Sequence, residues 1–168
     1  MRFLPADEGL QTTFREVMAG VATPVSVVTS MADGLPHGST VSAFTSLSMD
    51  PPMVLVSLDR NSGLLALIRQ AGRFGINILG ATQSSVALAF AKKGGPGKFN
   101  GMRWNVDHGV PRLPGAPGWL ACTVAEMVDG GDHVVVLGNV AVAETAAGEP
   151  LTYHGRAFGT HAVLDAVS

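Results

Sequence analysis

Between Gly38 and Pro52 the chain reads Gly-Ser-Thr-Val-Ser-Ala-Phe-Thr-Ser-Leu-Ser-Met-Asp-Pro-Pro, with hydroxyl side chains at Ser39, Thr40, Ser42, Thr45, Ser46 and Ser48. Small hydroxylated residues let backbone N–H groups come close to a ligand. Hydroxyl and amide donors together suit a phosphate or the polar edge of a heterocycle. The same composition also describes a Ser/Thr-rich edge strand and turn, and spacing alone does not separate the two readings.

Other chemistry-bearing residues are sparser. Asn61 reads as the N-cap of a helix carrying Leu64, Leu65, Leu67 and Ile68, and a helix N-terminus turns amide groups toward an anion. Arg60 would add a cation there. Asp129-Gly130-Gly131-Asp132 reads as a hairpin turn, with His133 directly after it. The five histidines (His37, His108, His133, His154 and His161) include no helical i, i+4 pair, so no metal site is expected. The acids form no paired-carboxylate pattern. Gly95-Pro96-Gly97 lacks the third glycine of a dinucleotide fingerprint, because Asn100 stands there. Gly97-Lys98 resembles the end of a phosphate-binding loop, but Phe99 follows the lysine and Lys92 takes the place of the first glycine.

These residues must be positioned by a chain of 168 residues, one domain's worth. Charged residues make up 14%, hydrophobic residues 46%, and mean hydropathy is +0.30. Disorder is excluded by that apolar content. A net charge of −2 gives no electrostatic case for nucleic acid or an anionic membrane. No apolar run is long enough for a spanning helix, and MRFLPADEGL, with Pro5, Asp7 and Glu8, does not read as a signal peptide. The single cysteine, Cys122, permits no internal disulfide and reads as a small buried hydrophobe. It is compatible with a reducing, cytoplasmic setting. So few charges on a soluble chain suggest that a second subunit covers part of the surface.

Leu10, Phe14, Val17 and Met18 share one helical face, predicting a helix over residues 7–20. Strands are expected at 24–30, 37–42, 53–58 and 74–79, with Ala32-Asp33-Gly34 as a turn. Short helices are expected after Asn61 and from Thr82 to about Ala91. Residues 92–118, rich in Gly and Pro, read mostly as loop. Two long strands, 119–128 and 133–144, follow, and Leu151–Tyr153 and Phe158–Leu164 supply short final ones. The pattern lacks regular βαβ alternation. It predicts a mainly β, antiparallel barrel or sandwich, residues 1–168 as one domain, with helices packed outside.

With the elements in place, the sequence resembles the flavin reductase family of FMN-binding split β-barrels. The resemblance rests on Phe14-Arg15, Val25–Thr29, Gly38–Pro52, Arg73–Leu79 with Gln83, Lys98-Phe99, Trp104, Gly131-Asp132-His133 with Gly138, and Leu151–Arg156, in that order. It implies a Greek-key split barrel and an NAD(P)H:flavin oxidoreductase that supplies reduced FMN or FAD to a separate monooxygenase. A homodimer is implied as well.

By the same resemblance, Ser39, Thr40, Val41, Ser42 and Ala43 would face the flavin ring and ribityl chain, and Thr45 and Ser46 would sit near its phosphate. Asp59, Arg60, Asn61 and Ser62 would add phosphate contacts. Phe90 and Phe99 are counted among the cofactor-binding residues, with Gly131 and Asp132, and Tyr153, Arg156 and Phe158 would close the nicotinamide pocket. His133 would lie by the nicotinamide of NADH or NADPH, orienting it rather than abstracting a proton. Family members often carry arginine where this chain has Ala89, so Lys92, Lys93 or Arg60 would have to compensate at the phosphate. Two other readings stay open: a split barrel that binds flavin or haem without turnover, and a flavoenzyme that reduces a quinone, nitro compound or corrinoid.

Overall fold

In a computed structural model of the chain, residues 7–165 are described; Met1 to Ala6 of the N-terminal reading lie outside them. The helices are α1 (Glu8–Ala19), α2 (Gly63–Ala71) and α3 (Ser84–Ala91), with a 3-10 turn at Pro96–Phe99. The strands are β1 (Thr23–Pro24), β2 (Ser26–Ala32), β3 (Leu35–Val41), β4 (Phe44–Met49), β5 (Pro52–Asp59), β6 (Arg73–Ile78), β7 (Asn105–Asp107), β8 (Val110–Arg112), β9 (Gly118–Gly130), β10 (His133–Thr145), β11 (Thr152–His154) and β12 (Ala157–Gly159).

Seven strands form one antiparallel sheet in the order β3-β2-β6-β9-β10-β5-β4. Its two edge strands, β3 and β4, are consecutive in the chain and joined only by Ser42 and Ala43, so the sheet curls until its edges converge at that link without pairing along their length. The Ser57 amide donates to the Ala43 carbonyl at 2.9 Å, which ties the junction to β5. Beside the barrel, β1, β11 and β12 make a small sheet, and β7 and β8 make a hairpin.

Two cores lie on either side of β2. Helix α2 buries Leu64, Leu65 and Ile68 against Val28, Val56, Phe74, Ile76, Val134 and Val136. On the other side, Ala87 and Phe90 of α3 pack with Phe99 on Val25, Val27, Leu79, Leu113 and Leu151. Strand β2 is therefore buried on both faces, which explains why Pro24–Ser30 shows no clean alternation. Its hydroxyls are satisfied internally: Ser26 donates to the Val41 carbonyl at 2.7 Å, Thr29 to that of Pro111 at 2.6 Å, and Ser30 to that of Arg73 at 2.8 Å.

Several expectations need correcting. The α2 cap is Ser62, whose Oγ accepts from the Leu65 amide at 3.1 Å, and not Asn61. Asn61 sits one residue outside, its amide bonded to Asp59 Oδ1 at 2.7 Å. A further strand, β4, forms at Phe44–Met49, where the sequence pattern predicts none. The segment 92–118 is more ordered than a loop, since it carries the 3-10 turn and the β7–β8 hairpin. Arg112 anchors that hairpin, bonding Asp107 and Glu144 at 2.7 Å each, with its guanidinium 5.5 Å from the Trp119 ring centre. The last strand ends at Gly159 rather than Leu164.

Helix α1 forms where the periodicity puts it, capped by Asp7. Its apolar stripe faces no other part of the described chain: Leu10, Phe14, Val17 and Met18 are 67%, 60%, 62% and 46% exposed. Cys122 is buried, and burial pushes its thiol up to about 12. Among the described residues no helix is long and apolar enough to cross a membrane, and no cluster of three or more His, Cys, Asp or Glu could hold a metal.

The barrel interior sets a sharp size limit at Gly138. A Cβ there would stand 2.5 Å from Phe74 Cζ and 3.2 Å from Cys122 Cβ. Gly138→Ala is expected to destabilise the fold by about 1–3 kcal/mol through overpacking. Urea unfolding reads this as a lower midpoint, and an unchanged midpoint would contradict the packing described.

Candidate active site: a groove at the barrel closure

Where β3 runs into β4, three depressions merge into one groove. The central one, about 270 Å³, is lined by Ser39, Thr40, Val41, Ser42, Ala43, Ser57, Leu58, Asp59, Ser62 and His133. It shares Thr40 and Ser42 with a larger apolar cleft of about 490 Å³, whose walls include Val25, Ala87, Leu88, Tyr153, Arg156 and Phe158. It shares Ser39, Asp59 and Ser62 with a polar cleft of about 450 Å³. That cleft is walled by His37, Asn61, Gly63, Lys92, Lys93, Gly94 and Lys98. These volumes are those of small-molecule sites.

The groove exists because its floor is small and its walls are pinned. Ser39 to Ala43 are the end of the edge strand β3 and its link to β4. A Cβ on Gly38 would come within 2.8 Å of Phe90, so the floor lies directly on the second core. Thr40 Oγ1 donates to the Ala87 carbonyl at 2.6 Å, locking α3 to β3. Lys98 Nζ donates to the carbonyls of Gly38 and Phe90 at 3.1 and 3.0 Å, and burial lowers its pKa. At the apolar end, the β11–β12 hairpin turns through Gly155 and Arg156, both with positive φ (56° and 63°) as a type I′ turn requires. Tyr153 and Phe158 meet edge to face there at 5.4 Å.

His133 opens β10, immediately after the two-residue turn Gly131-Asp132. Its Nδ1 lies 2.7 Å from Asp132 Oδ1. That contact fixes the ring's aim, and the imidazole holds the Asp132 carboxyl below the usual carboxylate range. Arg60 braces the same turn, with Nη1 2.9 Å from Asp129 Oδ1 and Nη2 donating to the Gly131 carbonyl at 3.1 Å.

The groove thus brings together Ser39 to Ala43, Asp59, Asn61, Ser62, His133, Tyr153, Arg156 and Phe158. It does not bring in the others. Thr45 and Ser46 lie farther along β4, exposed and outside all three depressions. Arg60 is spent on the hairpin. Gly131 and Asp132 form the turn behind His133. Phe90 and Phe99 are buried in the second core, 5.0 Å apart, and support the groove from beneath. His37 and Gly63, and Lys98 as a wall of the cleft, were not singled out by the sequence. Only the fold places β3, α2 and the 3-10 turn around one space, though Gly97-Lys98 had stood out as a phosphate-like fragment.

The donor set fits an amphipathic, anionic ligand. One end offers aromatic and aliphatic walls, the centre offers backbone and hydroxyl groups, and the far end offers three lysines against one carboxylate, Asp59.

Comparisons with known proteins point the same way. The flavin reductase like domain family matches residues 18–162. The reductase component of a 4-nitrophenol 4-monooxygenase/4-nitrocatechol 2-monooxygenase from Rhodococcus opacus is 42% identical over 146 residues, 87% of this chain and 78% of the relative. The FMN reductase (NADH) SmoA of Agrobacterium fabrum is 35% identical over 158 residues, 94% of this chain and 89% of the relative. Nitrilotriacetate monooxygenase component B from Mycobacterium thermoresistibile superposes with a TM-score of 0.88 at 33% identity, covering 94% of this chain and 89% of that one.

If the lysine end is an anion site, pyrophosphate alone should stabilise the protein. At about ten times its Kd the melting temperature should rise by roughly 3–5 °C. Lys92→Gln combined with Lys93→Gln should remove most of that rise in a thermal-shift measurement. An equal rise in both proteins would place the anion elsewhere.

Proposed function

The chain belongs to the flavin reductase like domain family, and on that footing we propose that it is an NADH-dependent flavin reductase that delivers reduced flavin to a separate monooxygenase. The observation that carries this reading is the polarity gradient of the groove: apolar and aromatic at Tyr153 and Phe158, basic at Lys92, Lys93 and Lys98, with His133 between them. An FMN or FAD molecule has the same order of parts, a flat ring at one end and phosphate at the other.

The flavin, when bound, accepts a hydride from reduced nicotinamide and supplies the redox chemistry. The protein's share is placement. The edge residues Ser39 to Ala43 offer backbone and hydroxyl donors to the polar rim of the ring. Ser62 and the first turn of α2, with the lysines of the 92–98 segment, would hold the phosphate. Ala89 stands where, by the resemblance, family members often carry arginine, and Lys92 and Lys93 line the cleft that such a side chain would serve. Arg60 does not fill that role, because Asp129 and Gly131 already engage it.

His133, aimed by Asp132, would orient the nicotinamide and shield it from water. No proton needs to move for hydride transfer, so an exposed imidazole held by a carboxylate suits a positioning task better than general-base work. The protein is placed in the cytoplasm, where NADH and free flavin are both available and Cys122 stays reduced. Flavin would leave after reduction, which suits a groove open along its length.

A homodimer is part of the same proposal. The uncovered stripe of α1 and the low charge content both call for a partner surface, and a second copy burying about 2,000 Å² would supply it.

Purified protein given NADH and FMN should oxidise NADH, and flavin binding without NADH oxidation would point to a binding protein instead. His133→Ala should raise the nicotinamide KM about tenfold, the loss of one contact of about 1.4 kcal/mol, with flavin Kd unchanged. Loss of flavin binding in that variant would refute the assignment. Light scattering should give about twice the 17.3 kDa chain mass, and Phe14→Asp should shift it toward the monomer.

A further inference from the structure

His37, on β3 at the basic end of the groove, has no role in the reading above. Its Nδ1 is buried without a hydrogen-bond partner, although the buried hydroxyls of neighbouring β2 are all paired. On its other edge, Nε2 lies 3.1 Å from the place a Cβ would occupy on Gly63, the first residue of α2. The absence of a side chain there lets the imidazole lie against the first turn of α2, whose amides lack intrahelical acceptors.

The charged groups around it come from three places. Lys98 faces it from the 3-10 turn, Lys92 and Lys93 from the segment after α3, and Asp59 from the end of β5. Strand β2 sets Ser30 opposite it in register, and the first turn of α2 brings no acidic side chain. Lys98 is held to the Gly38 and Phe90 carbonyls, so its charge stays beside the ring. Burial, and then the Lys98 charge, lower the His37 pKa from the usual 6.5, and the Gly38 backbone opposes them only in part. The ring is neutral in the free protein near neutral pH.

We propose that His37 senses the phosphate of the flavin, taking up a solvent proton as that phosphate enters the lysine-lined cleft and so favouring phosphorylated flavins over riboflavin. The proposal rests on the flavin reductase reading. A phosphate beside the ring opposes both burial and Lys98, and favours the imidazolium. The pKa in the complex therefore lies above that of the free protein. Between the two values, binding takes up a proton and affinity falls as pH rises. Above both values His37 is neutral in either state, and its titration contributes nothing.

Calorimetry of FMN, FAD and riboflavin binding to the whole chain tests this. It is run near pH 7 in two buffers of different protonation heat, with Kd followed from about pH 6 to 8.5. FAD serves as a control for the second ionisation of the FMN phosphate, which lies near pH 6. For the wild type, FMN and FAD binding should show proton uptake and riboflavin binding none. His37→Gln cannot titrate. It should abolish the uptake and weaken FMN about tenfold near pH 6.5, the equivalent of one pKa unit, with little change near pH 8.5 and none for riboflavin. Equal uptake in both proteins, or riboflavin weakened as much as FMN, overturns the proposal. Should the variant fail to fold, the wild-type buffer comparison decides alone, and absence of uptake overturns the proposal. A wild type that binds no flavin overturns the flavin reductase reading along with it. One that binds FMN with the same pH profile as His37→Gln overturns only the role of His37.

Discussion

The closure of the barrel at Ser42 and Ala43 governs the rest of the molecule. A seven-stranded sheet leaves two edges with unpaired amides and carbonyls, a liability in any β protein. Here the two edges are consecutive strands, so a two-residue link brings them together. Such a link requires small residues, and the chain supplies Ser, Thr, Val, Ser and Ala from position 39 to 43. The backbone polar groups that would otherwise recruit another strand are left beside a groove, available to a planar ligand.

Filling the barrel follows from the same closure. A curled sheet needs its interior packed, and α2 does this with Leu64, Leu65 and Ile68. A helix packed there must begin near the rim, which is why Ser62 caps α2 within the groove and Gly72, at φ 67°, ends it before β6. The residues lining the groove come from β3, β5, the start of α2, α3 and the segment after it, the 3-10 turn, β10 and the β11–β12 hairpin, elements far apart in sequence. Mutual pinning keeps them in place: Thr40 to Ala87, Lys98 to Gly38 and Phe90, Arg60 to Asp129 and Gly131.

Local signals made much of this legible in the sequence. Leu10, Phe14, Val17 and Met18 predict α1, and the Asp-Gly turns predict the β2–β3 and β9–β10 hairpins, because periodicity and turn chemistry act over a few residues. The Ser/Thr segment 39–43 was ambiguous between ligand site and edge strand, and in the structure it is an edge strand whose end lines the groove. The errors have a common origin. Asn61 and Ser62 are both good caps, and only the Leu65 amide distinguishes them. The family resemblance counts Phe90 and Phe99 among the cofactor contacts; in the structure α3 turns Phe90 inward, where Gly38 leaves it room, and both rings lie in the second core. Arg60 is a free cation in the sequence and a brace in the fold. His37 carried no local signal, since its environment is made by three elements that no pattern links.

Charge is scarce in this chain, and its placement matters more than its sum. Formal net charge is −2, yet Lys92, Lys93 and Lys98 stand together with Asp59 as the only carboxylate lining their cleft. A field of that kind acts over the Debye length, about 8 Å at physiological salt, and so over one end of the groove and not the other. Under the proposed function, the three lysines against the single Arg156 at the other end would turn an amphipathic anion with its phosphate toward the lysines and its ring toward Tyr153 and Phe158. The central groove is lined mainly by hydroxyl-bearing and small apolar residues, with Asp59 and His133 as its ionisable groups. Its hydroxyls and backbone can meet a polar rim without the cost of burying a further charge.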